Sequence, residues 1–221
     1  MEPYVYKKVS SIEFSIMSPK LIKEMSVCKV VTPELYDREG YPVDGGLMDT
    51  RMGVIDPGLR CRTDGRGLRD CPGYFGHIEL ARPIVHIKFV PIVLSLLRSF
   101  CGHCSRILIP QEKIKDIIKE LEAAEHEGGL DKRRARLKEI MTSLRTTKKC
   151  PHCSAKQGKI TIEKPTTFFD ADKRISPIEI RSRLEKVTDD DLDLFGLNPK
   201  SVRPEWMILT LLPIPPVTMR P

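Results

Sequence analysis

"CGHC" at residues 101–104 and "CPHC" at residues 150–153 are two C-x-x-C knuckles. A two-residue gap lets both thiolates of a knuckle turn toward one ion, and two knuckles supply the four sulfurs of a tetrahedral zinc site. Cys101, Cys104, Cys150 and Cys153 are therefore the candidate metal ligands. Four unrelated core cysteines would have no reason to share this paired spacing. His103 and His152 lie inside the gaps and are competing ligands, although a histidine so placed more often points away. Four thiolates leave no open coordination position, so the expected role is structural and not catalytic.

The knuckles are 45 residues apart, more than a zinc ribbon normally spans. A helical hairpin closes that gap at little entropic cost, because its ends lie side by side. Pro110 opens a first arm with Ile114, Ile117, Ile118 and Leu121 at i, i+3, i+4 and i+7, one apolar stripe. Gly128-Gly129 ends it, and a second arm carries Leu130, Leu137, Ile140, Met141 and Leu144. An ion at the knuckles would staple the base of this hairpin, making metal binding part of folding.

Outside the hairpin, Ser18-Pro19 followed by Leu21-Ile22 reads as a capped short helix. Residues 32–60 are rich in turn formers and lack periodicity. His77 to Val85 reads as a strand and Ile84 to Phe100 as a mostly apolar helix. Lys159 to Glu163 alternates like a strand, Ser176-Pro177 caps a further helix, and Met207 to Leu212 is an apolar strand. The fold class is α+β: an irregular zinc-containing domain with a hairpin inserted between two knuckles. The expected division is 1–100, with a metal-site-like loop at 61–77; 101–164, with the hairpin at 110–149; and 165–221.

That loop is a puzzle in itself. Cys61-Arg62-Thr63-Asp64, six further residues, and Cys71-Pro72-Gly73-Tyr74 have the outline of a second four-cornered site. Asp64 and Tyr74 stand where sulfur or imidazole would be expected. Tyrosine is a poor zinc ligand at neutral pH, its reference pKa lying near 10. No tightly bound zinc is expected at Cys61, Asp64, Cys71 and Tyr74. A Cys61–Cys71 disulfide and substitution by His77 are the remaining options.

The 221 residues are 40% hydrophobic and 30% charged, ordinary for a globular chain. The longest apolar run, Phe89 to Leu97, is too short to span a bilayer. MEPYVYKKVSS has no apolar signal core. These features point to the cytoplasm and away from membrane partners, in a compartment where clustered cysteines favour metal over disulfides. The net charge of +7 is local: Asp131 to Lys149 carries eight basic residues against Asp131 and Glu139. Lys132, Arg133, Arg134, Arg136, Lys138 and Arg145 are candidate contacts for nucleic acid or an acidic factor, and a solvated helix face is the competing explanation. The Arg60, Arg62, Arg66 and Arg69 loop is a weaker candidate.

Longer stretches carry a family resemblance. "GGLMDTRMGVIDPGLRC", "CPGYFGHIELARPIVHI", the two knuckles and "RPEWMILTLLPIPPVTMRP" together resemble the start of the largest subunit of multisubunit DNA-dependent RNA polymerase, most closely the archaeal A-prime subunit. The resemblance spans nearly the whole chain, in order. It implies a clamp, the jaw that closes over DNA and the RNA–DNA hybrid, with Cys101, Cys104, Cys150 and Cys153 holding one clamp zinc. The family's second zinc aligns with Cys61, Asp64, Cys71 and Tyr74, where two ligands depart. The implied partners are other polymerase subunits, DNA and the hybrid, elongation factors of the NusG/Spt5 type and initiation factor E.

The resemblance also implies membership of a nucleotidyltransferase whose magnesium ions are held by aspartates of an "NADFDGD" motif. That motif is absent here, so Mg2+ belongs only to the assembled polymerase. Asp189, Asp191 and Asp193 imitate its spacing but follow Thr188 at a helix start, where carboxylates two apart do not converge. A free-standing zinc-binding, nucleic-acid-binding regulator is the alternative. It would have to bury "WMILTLLPIPP" within itself, whereas a polymerase segment would continue into the subunit core.

Overall fold

The computed structural model describes residues 8, 9, 12 and 14–220; most of the N-terminal stretch read as lacking a signal lies outside them. Ser18 accepts the Leu21 N–H at 3.0 Å and caps α1 (Pro19–Met25), as the Ser-Pro start predicts. β1 (Ser26–Lys29) follows, and then an irregular run interrupted by a 3₁₀ turn at Thr50–Met52.

β2 (Phe75–Val85) is the centre of the first sheet. β1 pairs with it in parallel, and the C-terminal β6 (Ile208–Ile214) pairs antiparallel from Gly76↔Ile214 to Val85↔Ile208. The helix expected over Ile84 to Phe100 begins later. Its first residues finish β2, His86 caps a 3₁₀ turn at Ile87–Phe89 by accepting the Lys88 N–H, and α2 runs Val90–Ser99 with Pro91 in its first turn.

α3 (Gln111–Leu144) is two arms broken at Gly128 and Gly129. Gly129 takes φ 68°, a conformation costly for other residues. Ion pairs Glu125–Arg133 and Glu120–Arg136, each 2.8 Å, are nearly symmetric about that break, so the arms run antiparallel. Leu121 and Leu144 are buried, while Ile118 and Leu130 of the expected stripes stay exposed. Their positions on the helix turn them away from the single surface the arms pack against.

A second sheet is the antiparallel meander β3 (Ile160–Glu163), β4 (Thr167–Asp170) and β5 (Lys173–Ile175). α4 (Pro177–Glu185), capped by Ser176, and α5 (Asp189–Leu194) complete the chain before β6. The largest apolar core runs from Val85 to Ile208 and draws on α2, both hairpin arms, the meander and α4. Met207, Ile208, Leu211 and Ile214 are buried within this chain. Much of the C-terminal segment is thus buried within this chain, paired with β2 on both sides of an irregularity between Glu79 and Ile84, while Leu212 stays exposed. Its burial does not separate the two functional readings.

Candidate metal centre

Each knuckle is built by the same backbone device. Cys101 N–H donates to Arg106 O and Ser105 N–H to Cys101 O; Cys150 N–H donates to Ala155 O and Ser154 N–H to Cys150 O. Ser105 and Ser154 close the turns with φ 55° and 58°. Such strain in non-glycine residues persists only where the surroundings enforce it. One side of each turn faces its own sulfur: the N–H of His103 lies 3.4 Å from Cys101 Sγ and that of His152 3.4 Å from Cys150 Sγ.

The hairpin and meander bring these turns together. All four Sγ atoms lie within 4.8 Å of one another. Across the knuckles, Cys101 and Cys153 are 3.6 Å apart and Cys104 and Cys150 3.7 Å. A tetrahedron with metal–sulfur bonds of about 2.3 Å has edges of about 3.8 Å, so the donor set fits a tetrathiolate ion. Burial alone would raise the Cys101 thiol, but the backbone N–H groups of Cys104 and His103, with Cys153, pull it down. Cys104 is pushed the other way, chiefly by burial. The backbone donors around Cys101 thus favour its thiolate over that of Cys104. His152 is turned away, its Nε2 within 3.0 Å of Ile107 O and 2.9 Å of Ile109 O.

Sequence reasoning missed Gln157. Its amide donates to Cys101 Sγ at 3.2 Å and to Ala155 O, and its Oε1 accepts the Gly102 N–H at 3.1 Å. It therefore laces one knuckle to the other. Its place four residues beyond Cys153 is the available clue, and a weak one.

The 61–77 loop keeps a knuckle turn of the same kind. Cys61 N–H donates to Arg66 O, Gly65 N–H to Cys61 O, and Gly65 has φ 70°. Donor atoms of Cys61, Asp64 and Cys71 lie within 4.8 Å of one another, so three groups could approach an ion. At the fourth corner, Tyr74 OH donates to Asp64 Oδ2 at 3.2 Å. Burial and the Asp64 charge push the phenol up, which keeps it protonated as a donor. His77 is turned elsewhere, with Nδ1 2.7 Å from Ser26 Oγ, and both cysteines are free thiols. Val54, Cys61 and Cys71 form a small apolar core with Leu59 and Tyr74 packed against it. Packing and turn hydrogen bonds thus occupy the place of a fourth ligand. Among the described residues the loop gathers three such donors, against the four of the Cys101 site.

The basic arm is more neutral than its sequence. Lys132, Arg133, Arg134 and Arg136 each have a carboxylate within 4.0 Å, at Glu127, Glu125, Asp131 and Glu120 respectively. Lys138 and Arg145 have none among the described residues. The aspartates also part company: Asp189 pairs with Arg203, while buried Asp191 accepts from Arg106 Nε and the Ile107 N–H.

With this geometry in hand, relatives decide the family. The family model described as RNA polymerase Rpb1, domain 1, matches residues 6–221. The chain belongs to the RNA polymerase Rpb1 domain 1 family. It is 47% identical over 226 residues to the DNA-directed RNA polymerase subunit Rpo1N of Methanocaldococcus jannaschii, covering 100% of this chain and 17% of that relative. The same subunit of Methanothermobacter thermautotrophicus is 47% identical over 218 residues, 98% of this chain and 25% of the relative. That of Sulfolobus acidocaldarius is 43% identical, covering 97% and 25%. The chain thus spans a quarter or less of these curated relatives. The resemblance to the archaeal largest subunit holds across the whole Rpb1 domain 1 match. Among the described residues no helix is long and apolar enough to cross a membrane.

Proposed function

We propose that this Rpb1 domain 1 chain is the clamp portion of a DNA-directed RNA polymerase largest subunit, which helps hold DNA and the RNA–DNA hybrid in the cleft. The reading is carried by the end-to-end family match taken together with four thiols spaced for one tetrahedral ion. On this reading Cys101, Cys104, Cys150 and Cys153 hold one structural Zn2+, and the Cys61 loop holds none tightly. When bound, such an ion supplies a coordinatively closed cross-link.

The chain's own residues do the rest. The knuckle N–H groups and Gln157 orient the thiolates, and the apolar core beneath stiffens the hairpin. Exposed basic side chains hold phosphates without reading sequence. The surface ion pairs of the basic arm are each worth only about 0–1 kcal/mol, so Arg133 and Arg136 can exchange a carboxylate for a phosphate at small cost. The segments 1–100, 101–164 and 165–221 would act as parts of one lever. Nucleotidyl transfer, with its Mg2+, belongs to the assembled cytoplasmic enzyme. The other subunits, NusG/Spt5-type elongation factors and initiation factor E are its partners.

Elemental analysis should find about one zinc per chain, and two would overturn the single-ion assignment. In assembled polymerase, Cys101→Ser or Cys150→Ser should lose that zinc and shorten the lifetime of the DNA complex. Unchanged lifetime with zinc lost would sink the clamp role while leaving the metal site standing.

A further inference from the structure

A cleft of about 220 Å³ opens beside the knuckles, between the end of α2, the end of α3 and β3. Arg98, Arg145, Lys159 and Arg183 line it, against a single carboxylate, Asp170. Arg183 is already compensated, with Nη1 3.0 Å from Asp170 Oδ2 and Nη2 2.9 Å from Glu179 Oε1. The other three cations have no carboxylate partner among the described residues. Arg98 is fixed, because its Nε donates to Ile160 O at 3.0 Å, leaving its Nη groups for another acceptor. Burial disfavours the Arg98 cation, and the nearby Arg145 charge disfavours it further.

Three cations with no carboxylate partner of their own, in a cleft whose one carboxylate is held by Arg183, repel one another, and the arrangement is relieved by a multiply charged acceptor. A phosphate carries about two negative charges at neutral pH and accepts guanidinium hydrogen bonds in pairs. The Thr147 hydroxyl, also at the cleft wall, is a further donor. We propose that this cleft is a phosphate-binding site, held by Arg98, Arg145 and Lys159. The site adjoins the metal centre, with Gly102 and Gln157 at the shared wall, but its three cations are not among the candidate metal ligands, and it does not depend on the clamp reading.

The test is calorimetric titration of inorganic phosphate into the whole chain, compared with the double variant Arg145→Gln/Lys159→Gln. Both residues are exposed, so their replacement leaves the core intact. Lys115→Gln/Lys119→Gln removes the same charge at exposed positions away from the cleft and is the control. Saturable binding that weakens about tenfold or more only in the cleft variant is expected, since two charge-assisted contacts are lost. Absence of saturable binding, or equal weakening in both variants, overturns the site.

A second arm measures a short single-stranded DNA by fluorescence anisotropy. If its affinity falls with the cleft variant and inorganic phosphate competes, the occupant is a backbone phosphate. If DNA binding is unmoved while phosphate binding is lost, the occupant is a free phosphate.

Discussion

Asp49 is completely buried, yet it holds its charge. It accepts from the N–H groups of Gly45 and Arg51 and from the Arg51 guanidinium, and Cys28 Sγ lies 3.5 Å away. Burial alone would raise its pKa. The Arg51 side chain and the backbone donors more than offset that and hold the carboxyl far below the usual range. A depressed carboxyl stabilises the fold above its unfolded pKa, near 4, and that contribution is lost as pH falls toward the folded value. Asp49→Asn should therefore cost about 3 kcal/mol at pH 7 by urea denaturation. The gap to the parent should close as the pH drops below about 4. A gap that persists undiminished to pH 3 would mean the charge is not what matters. Gly73 is a steric counterpart. With φ 80°, an added Cβ would stand 2.6 Å from Pro216 and Thr218, so Gly73→Ala should destabilise by about 2 kcal/mol or more. A parent-like denaturation midpoint for that variant would show that the C-terminal turn yields.

The elements divide by how local their causes are. α1, α4 and the hairpin arms were legible because caps, prolines and 3.6-residue spacing are written within a few residues of one another. The grouping of the four cysteines was legible for the same reason. β1, β4 and β5 were not: they have four, four and three residues, and β1 exists only because β2, some fifty positions on, offers a parallel edge. Spacing also could not show which stripe residues meet the core. Leu121 is 2% exposed and Ile118 39%, though both sit on the same expected stripe. Leu121→Ala should accordingly cost about 3 kcal/mol and Ile118→Ala under about 0.5 kcal/mol. Equal losses in thermal denaturation would show that the arm packs on a different face. The Cys61 loop follows the same logic. Its departures from a four-ligand pattern were plain in the sequence, but the turn itself depends on the Cys61 N–H bond to Arg66 O, the Gly65 N–H bond to Cys61 O and packing with Val54.

At the scale of the whole molecule, three apolar clusters share the load unequally. Cys101 and Cys150 belong to the largest, which ties α2, the hairpin and the meander together. Cys28, Val30, Met52, Ile214 and Val217 form a separate cluster under the first sheet, and the Cys61 loop has its own. Neither smaller cluster contains a residue of the four-thiol site. Because metal binding is coupled to folding, removing an ion from the knuckles should loosen only what those thiols anchor. Chelation followed by amide hydrogen exchange should show protection lost at Cys101, Ser105, Cys150 and Ser154, whose N–H groups close the knuckle turns. Protection should remain across the β2–β6 ladder from Gly76↔Ile214 to Glu79↔Leu211. The hairpin arms should keep their helical exchange pattern while losing their fixed orientation, because the Glu120–Arg136 and Glu125–Arg133 pairs lie beyond the site. Uniform loss across the chain would mean that the ion holds the entire fold. Unchanged knuckle protection would mean that the turns need no ion, and their order would then rest on Gln157 and the apolar core alone.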